Sequence, residues 1–192
     1  MNLPNKLTVI RCLMTPLFLV LMLWKFPFHY TVALLVFILA SLTDLVDGKL
    51  ARKRGQVTNL GKFLDPLADK MLTTAAFIGF VQVVPSRTIP WAVFFILARE
   101  FAVMSVRLMA AKDGVVVAAS FAGKLKTVLQ MVAIIYELVL LQAKTIPFIA
   151  DVPDLVMWAS YFGMLLIWIS VAATVVSGIQ YVWALRHYFK ED

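Results

Sequence analysis

Residues 31–51 read TVALLVFILASLTDLVDGKLA, a run apolar for most of its course that places Asp44 and Asp47 toward its end. A spanning helix needs about 20 predominantly apolar residues. A carboxylate inside such a segment is costly and marks a functional site by default. The run therefore predicts a membrane helix that carries chemistry near one end. After the polar residues 52–59 (Arg-Lys-Arg-Gly-Gln-Val-Thr-Asn) a second apolar run begins at about Leu60, carries Asp65 and Asp69 near its start, and ends at Pro85.

The rest of the chain follows suit. Of its 192 residues 62% are apolar and 15% charged, and the mean hydropathy is +0.89. A soluble domain is nearer half apolar and a quarter charged. This balance excludes a disordered chain and a collagen-like fibre and argues strongly against a soluble globular enzyme. A single cysteine, Cys12, excludes an intrachain disulfide. Apolar runs broken by charge, Pro and Gly fall at about 7–24, 31–51, 60–84, 89–111, 119–141 and 153–185. They predict an all-α membrane protein with six transmembrane helices in a single domain over residues 1–192. The last run is too long for one straight span, so its end is expected to leave the bilayer as a helix. Trp24-Lys25-Phe26-Pro27 offers no small-residue cleavage site, so the first run is expected to stay in the mature protein. No internal repeat resembles the matched halves of a transporter.

Lys and Arg counts set the orientation. With six spans, all but Lys25, Arg87 and Lys144 of the 18 basic residues lie on or toward the side that holds both termini. Both termini are therefore expected in the cytoplasm, with the net charge of +7 gathered where anionic lipid headgroups sit. No aromatic-basic interleaving in a soluble module points to nucleic acid as a partner.

Four of the eleven acids fall between residues 44 and 69. Asp44, Asp47, Gly48 and Ala51 stand at i, i+3, i+4 and i+7, one helix face; Gly61, Asp65 and Asp69 stand at i, i+4 and i+8 on the next. A short loop between the two helices makes them expected antiparallel neighbours whose faces meet. Four carboxylates at close range cannot all stay ionised without cations. Either divalent metal neutralises them, or Arg52, Lys53, Arg54, Lys62 and Lys70 form a structural salt-bridge network around them. All-oxygen ligands suit Mg²⁺, Mn²⁺ or Ca²⁺, and no His or Cys lies nearby to favour zinc. Gly48 and Gly61, lacking side chains, leave space for a bulky ligand such as a nucleotide.

Asp44-Leu45-Val46-Asp47-Gly48-Lys49-Leu50-Ala51-Arg52, eight residues, then Gly61-Lys62-Phe63-Leu64-Asp65-Pro66-Leu67-Ala68-Asp69 matches D-x2-D-G-x2-A-R-x8-G-x3-D-x3-D at every specified position. In this the chain resembles the CDP-alcohol phosphotransferases, whose enzymes displace CMP from a CDP-linked lipid with an alcohol. The resemblance extends to the six-span plan and so covers essentially the whole chain. It implies that Asp44, Asp47 and Asp65 bind two divalent ions, Mg²⁺ or Mn²⁺, and that Asp69 completes the metal site and serves as general base. It implies that Gly48, Ala51, Arg52 and Gly61 bind the CDP-lipid, together with Asn5, Thr8 and Arg11. The alternative for that last trio is an interfacial helix start, with Asn5 as cap and Arg11 at headgroup level. A homodimer in the inner (plasma) membrane, its active site facing the cytoplasm among membrane lipids, is also implied.

The acceptor is read from cations. Lys124 and Lys126 open the fifth span; Arg107 lies near the cytoplasmic end of the fourth, with Arg99 deeper and roughly on the same face. Together they would form an anion pocket, since Arg binds phosphate through its planar fork and Lys as a point charge. The alternatives are positive-inside decoration for the two lysines and a structural Arg99–Glu100 pair. The Gly-Lys-x-Lys-Thr stretch at 123–127 and Arg-Glu-Phe at 99–101 look like those of bacterial family members that use sn-glycerol 3-phosphate. That resemblance implies attack of this acceptor on CDP-diacylglycerol, giving phosphatidylglycerophosphate and CMP. Inositol phosphate is the nearest rival acceptor. A divalent-cation transporter and a catalytically silent assembly protein are the rival functions. His29, His187, Cys12 and the methionines read as packing or loop residues, Trp24, Trp91 and Trp183 as interface anchors, and Asp154 as a helix cap. Glu137 has no role that the sequence explains.

Overall fold

Where water is absent every backbone N–H and C=O must be satisfied within its own segment, so the apolar runs fold as helices. The computed structural model describes residues 3–54, 59–86, 88–112, 121–184 and 186. Within them the chain forms α1 (Leu3–Leu23), α2 (His29–Arg54), α3 (Asn59–Val83), α4 (Ile89–Lys112), α5 (Phe121–Ala143), α6 (Pro147–Ala150) and α7 (Pro153–Ala184). The six long helices match the six expected runs to within a few residues. The short α6 was not expected; Pro147 stands at its start, where a missing N–H costs nothing. Asp154 lies inside the first turn of α7 rather than ahead of it, where its charge suits the helix dipole.

Among the described residues three stretches, Ile89–Arg107, Phe121–Ala143 and Pro153–Ala184, are long and apolar enough to cross a membrane. The apolar stretches of the first three helices, among the described residues, are Thr8–Leu23, His29–Thr43 and Lys70–Val83.

Burial is inverted relative to a soluble protein. Thr8, Arg11, Thr15, Lys126, Gln130, Glu137, Ser170, Thr174 and Ser177 are buried, while Leu13, Leu39, Phe94, Phe101, Phe162 and Ile179 face outward. Such an exterior is a lipid-facing surface, with polar groups turned to the bundle interior. Trp24, Trp91 and Trp183 are all exposed, as interface anchors must be. The apolar core runs through Phe18, Phe37, Phe77, Phe80, Ile96, Ile134, Leu138 and Ile167, one or more from each long helix.

The helices pack as two groups, α1 with α2 and α3, and α7 with α4 and α5, joined by α2 on α5 and α3 on α4. Side chains and backbone are stitched across these seams. The Thr31 amide donates to Gln142 Oε1 (3.1 Å), and the Tyr136 hydroxyl donates to the Ala159 carbonyl (3.0 Å). The His29 ring Nδ1 donates to the Met22 carbonyl (3.2 Å), tying the start of α2 to the end of α1 across Phe28, whose φ of 60° makes the turn. Pro16 interrupts α1; beside it the Thr15 hydroxyl donates back to the Arg11 carbonyl (3.0 Å).

Glu137, unexplained by sequence, is buried on α5 against Gly163 of α7, where a β-carbon would overlap its Oε1. Gly163 is thus a notch that seats a carboxylate in the extensive contact of α5 with α7. Gly163→Ala is expected to cost about 1–3 kcal/mol through overpacking, read as a lower thermal midpoint in detergent. The same substitution in a Glu137→Ala background should cost much less. An unchanged midpoint for the single variant would show that Glu137 has another place to go.

Candidate active site

Asp44, Asp47, Gly48, Ala51 and Arg52 all lie within α2, and Gly61, Asp65 and Asp69 within α3. Both segments are helical throughout, so spacings of three and four residues correspond to about one turn. The side chains of these eight residues, and of Asn5, lie outside the described residues. The donor set itself is four carboxylates on two linked helices, which fits a hard, oxygen-preferring divalent ion.

The expected meeting of the α2 and α3 faces falls on residues whose side chains lie outside the described ones; where the chain is described, α2 and α3 do touch. Among the described residues α1 lies along both α2 and α3. The reason is complementary shape. Phe18 of α1 packs on Phe37 of α2 with ring centroids 5.7 Å apart. Met22 fills the notch left by Gly79 of α3, its Sδ 2.7 Å from where a β-carbon would stand. On the same helix, toward its start, Thr8 and Arg11 are 2% and 4% exposed. Arg11 is therefore turned into the bundle.

The four acceptor candidates divide unequally. Arg99 and Lys126 converge on one carboxylate: Arg99 Nη1 lies 3.4 Å from Glu100 Oε1, and the Lys126 ammonium pairs with the same oxygen. Lys126 is 3% exposed, so it is an interior charge and not surface decoration. The Arg99–Glu100 pair foreseen as an alternative does form, but it is one contact among several. Arg99 Nη2 donates to the Ser177 hydroxyl of α7 at 2.9 Å. Arg107 Nε donates to the Tyr181 hydroxyl at 3.0 Å, with the guanidinium 5.1 Å from the ring centroid. Arg99 and Arg107 thus both lean on α7. Lys124 is exposed on the first turns of α5.

Sequence reasoning missed what α7 contributes. Ser170, Thr174, Ser177, Gly178 and Tyr181 are all buried, spaced as one face of α7. Gln130 of α5 donates to the Thr174 hydroxyl at 3.0 Å. A stripe of small and hydroxyl residues at helical spacing in an apolar segment was the available signal.

The chain belongs to the CDP-alcohol phosphatidyltransferase family, whose model matches residues 1–176. It is 43% identical to the CDP-diacylglycerol–glycerol-3-phosphate 3-phosphatidyltransferase of Bacillus subtilis (strain 168), over 94% of this chain and 93% of that protein. It is 36% identical to the protein of the same name from Rickettsia bellii (strain RML369-C), over 98% and 97% of the two chains. The crystal structure of apo phosphatidylinositol phosphate synthase from Mycobacterium tuberculosis is similar in fold, with a TM-score of 0.60 over 100% of this chain and 94% of that one, at 21% identity.

Proposed function

We propose that the protein is an enzyme of phospholipid biosynthesis that transfers the phosphatidyl group from CDP-diacylglycerol to sn-glycerol 3-phosphate, giving phosphatidylglycerophosphate and CMP. The observation that carries this reading is near full-length likeness to enzymes of that name, in a chain whose signature stands complete on α2 and α3.

Asp44, Asp47, Asp65 and Asp69 would hold two divalent ions, Mg²⁺ or Mn²⁺. Such ions, when bound, neutralise the pyrophosphate and the departing CMP. The residues of the chain do the rest. Gly48, Ala51 and Gly61 leave room for the cytidine nucleotide, and Arg52 faces its phosphate. Asn5, Thr8 and Arg11 line the same pocket from α1, which the burial of Thr8 and Arg11 beside α2 and α3 supports. Asp69 takes the proton of the acceptor hydroxyl as its oxygen bonds to the phosphorus that carries diacylglycerol. The bond from that phosphorus to the CMP oxygen breaks, and the electron pair leaves with CMP. Arg99, Arg107, Lys124 and Lys126 hold the acceptor phosphate. The convergence of Arg99 and Lys126 on Glu100, with Arg99 and Arg107 both held against α7, supports a cluster of cations at this place.

All six long helices cross the inner membrane in this reading, both termini are cytoplasmic, the active site opens to the cytoplasm, and the protein is a homodimer.

The test is CMP release by purified protein in detergent with CDP-diacylglycerol and Mg²⁺ or Mn²⁺. Release is expected with sn-glycerol 3-phosphate and not with inositol 1-phosphate or without acceptor. Release with the inositol ester alone would keep the reaction class and overturn the acceptor. Metal-dependent ion flux in liposomes, with no turnover of CDP-diacylglycerol, would favour a cation carrier instead.

A further inference from the structure

Arg99 is held on three sides. Its stem lies over Gly178 of α7, where a β-carbon would stand 2.6 Å from Cγ, 3.3 Å from Nε and 3.5 Å from Cδ. Non-bonded carbons prefer about 3.5–4.0 Å, so any side chain at 178 must displace Arg99 near its root, not merely nudge its tip. Its Nη2 donates to the Ser177 hydroxyl at 2.9 Å. That hydroxyl already donates its own proton to the Thr174 carbonyl at 3.0 Å, so its lone pairs are left aimed at the guanidinium. On the far side Nη1 faces Glu100, which Lys126 also engages. Ser177 is 1% exposed, so water does not compete for this contact.

We propose that Ser177 and Gly178 are positioning residues for the acceptor: they seat Arg99 so that its planar fork meets the acceptor phosphate in one orientation. A guanidinium binds phosphate well only when its plane is set beforehand, and a long side chain alone does not set it. The recognition of the acceptor then depends on α7, a helix that contributes nothing to the signature. This rests on the reading of Arg99 as part of the acceptor pocket.

The experiment measures KM for sn-glycerol 3-phosphate and for CDP-diacylglycerol in Arg99→Ala, Ser177→Ala, Gly178→Ala and the double variant Arg99→Ala/Gly178→Ala. A hydrogen bond to a charged group is commonly decisive by roughly tenfold or more. Ser177→Ala and Gly178→Ala are expected to raise the acceptor KM about tenfold and to leave the KM for CDP-diacylglycerol within about twofold. In the Arg99→Ala background Gly178→Ala should add almost nothing, because the two changes act through one group. An unchanged acceptor KM in both single α7 variants, or a full Gly178→Ala effect without Arg99, overturns the seat while Arg99 keeps its role. An unchanged acceptor KM in Arg99→Ala overturns the role of Arg99 itself. The thermal midpoint of each variant reports folding. Should Gly178→Ala fail to fold, Ser177→Ala decides alone, since it removes a single oxygen.

Discussion

Asp69→Asn is expected to abolish CMP release to within background, a loss of about 10²–10⁴-fold from proton transfer alone. The substitution keeps the shape of the side chain and one acceptor oxygen. It removes the charge and the basicity, which are the two properties that the proposed role of Asp69 requires. If Asp69 acts only by holding metal, raising Mn²⁺ or Mg²⁺ should recover turnover. If it takes the acceptor proton, saturating metal leaves turnover low. Purified variant with a wild-type thermal midpoint is assayed across a metal titration. Near wild-type turnover at ordinary metal concentration would remove Asp69 from the mechanism.

Removal of divalent cations gives the second large effect. Chelation should stop CMP release, and Mg²⁺ or Mn²⁺ should restore it. Asp47→Asn and Asp65→Asn should each demand more metal for half-maximal rate. Partners one shell removed from a metal already cost about 10–100-fold in affinity, so a direct ligand should shift the titration by at least that. The opposing view, in which Arg52, Lys53, Arg54, Lys62 and Lys70 neutralise the acids, makes the opposite forecast. Chelation would then leave the rate unchanged, and the Asn variants would lose stability rather than metal response.

The placement of these acids was legible because a helix converts spacing into register. Asp44, Asp47, Asp65 and Asp69 fall inside two helices whose ends agree with the apolar runs to within a few residues. The same local logic placed α4, α5 and α7. It failed at α6, four residues whose helical form rests on Pro147 and a closing turn and leaves no periodic pattern to read. It also missed the role of Glu137, because nothing adjacent to residue 137 announces a notch at Gly163 on another helix.

In a membrane the usual guide to which face turns inward is weak. Lipid is as apolar as the protein core, so Leu and Phe do not distinguish the two sides of a helix. The helix partners of this chain therefore had to come from shape. Met22 in the gap of Gly79 and Phe18 on Phe37 place α1 along both signature helices, which no spacing within one helix foretold.

Sequence by itself determined the membrane class, the helices and the signature acids of α2 and α3, since each depends on composition or on spacing within one helix. Tertiary structure alone decided that Lys126 is interior and paired with Glu100, and that Arg99 and Arg107 lean on Ser177 and Tyr181. Those partners stand 78 and 74 residues apart in the chain. No period of 3.6 residues links them; only the close fit of α4, α5 and α7 brings their polar atoms within reach.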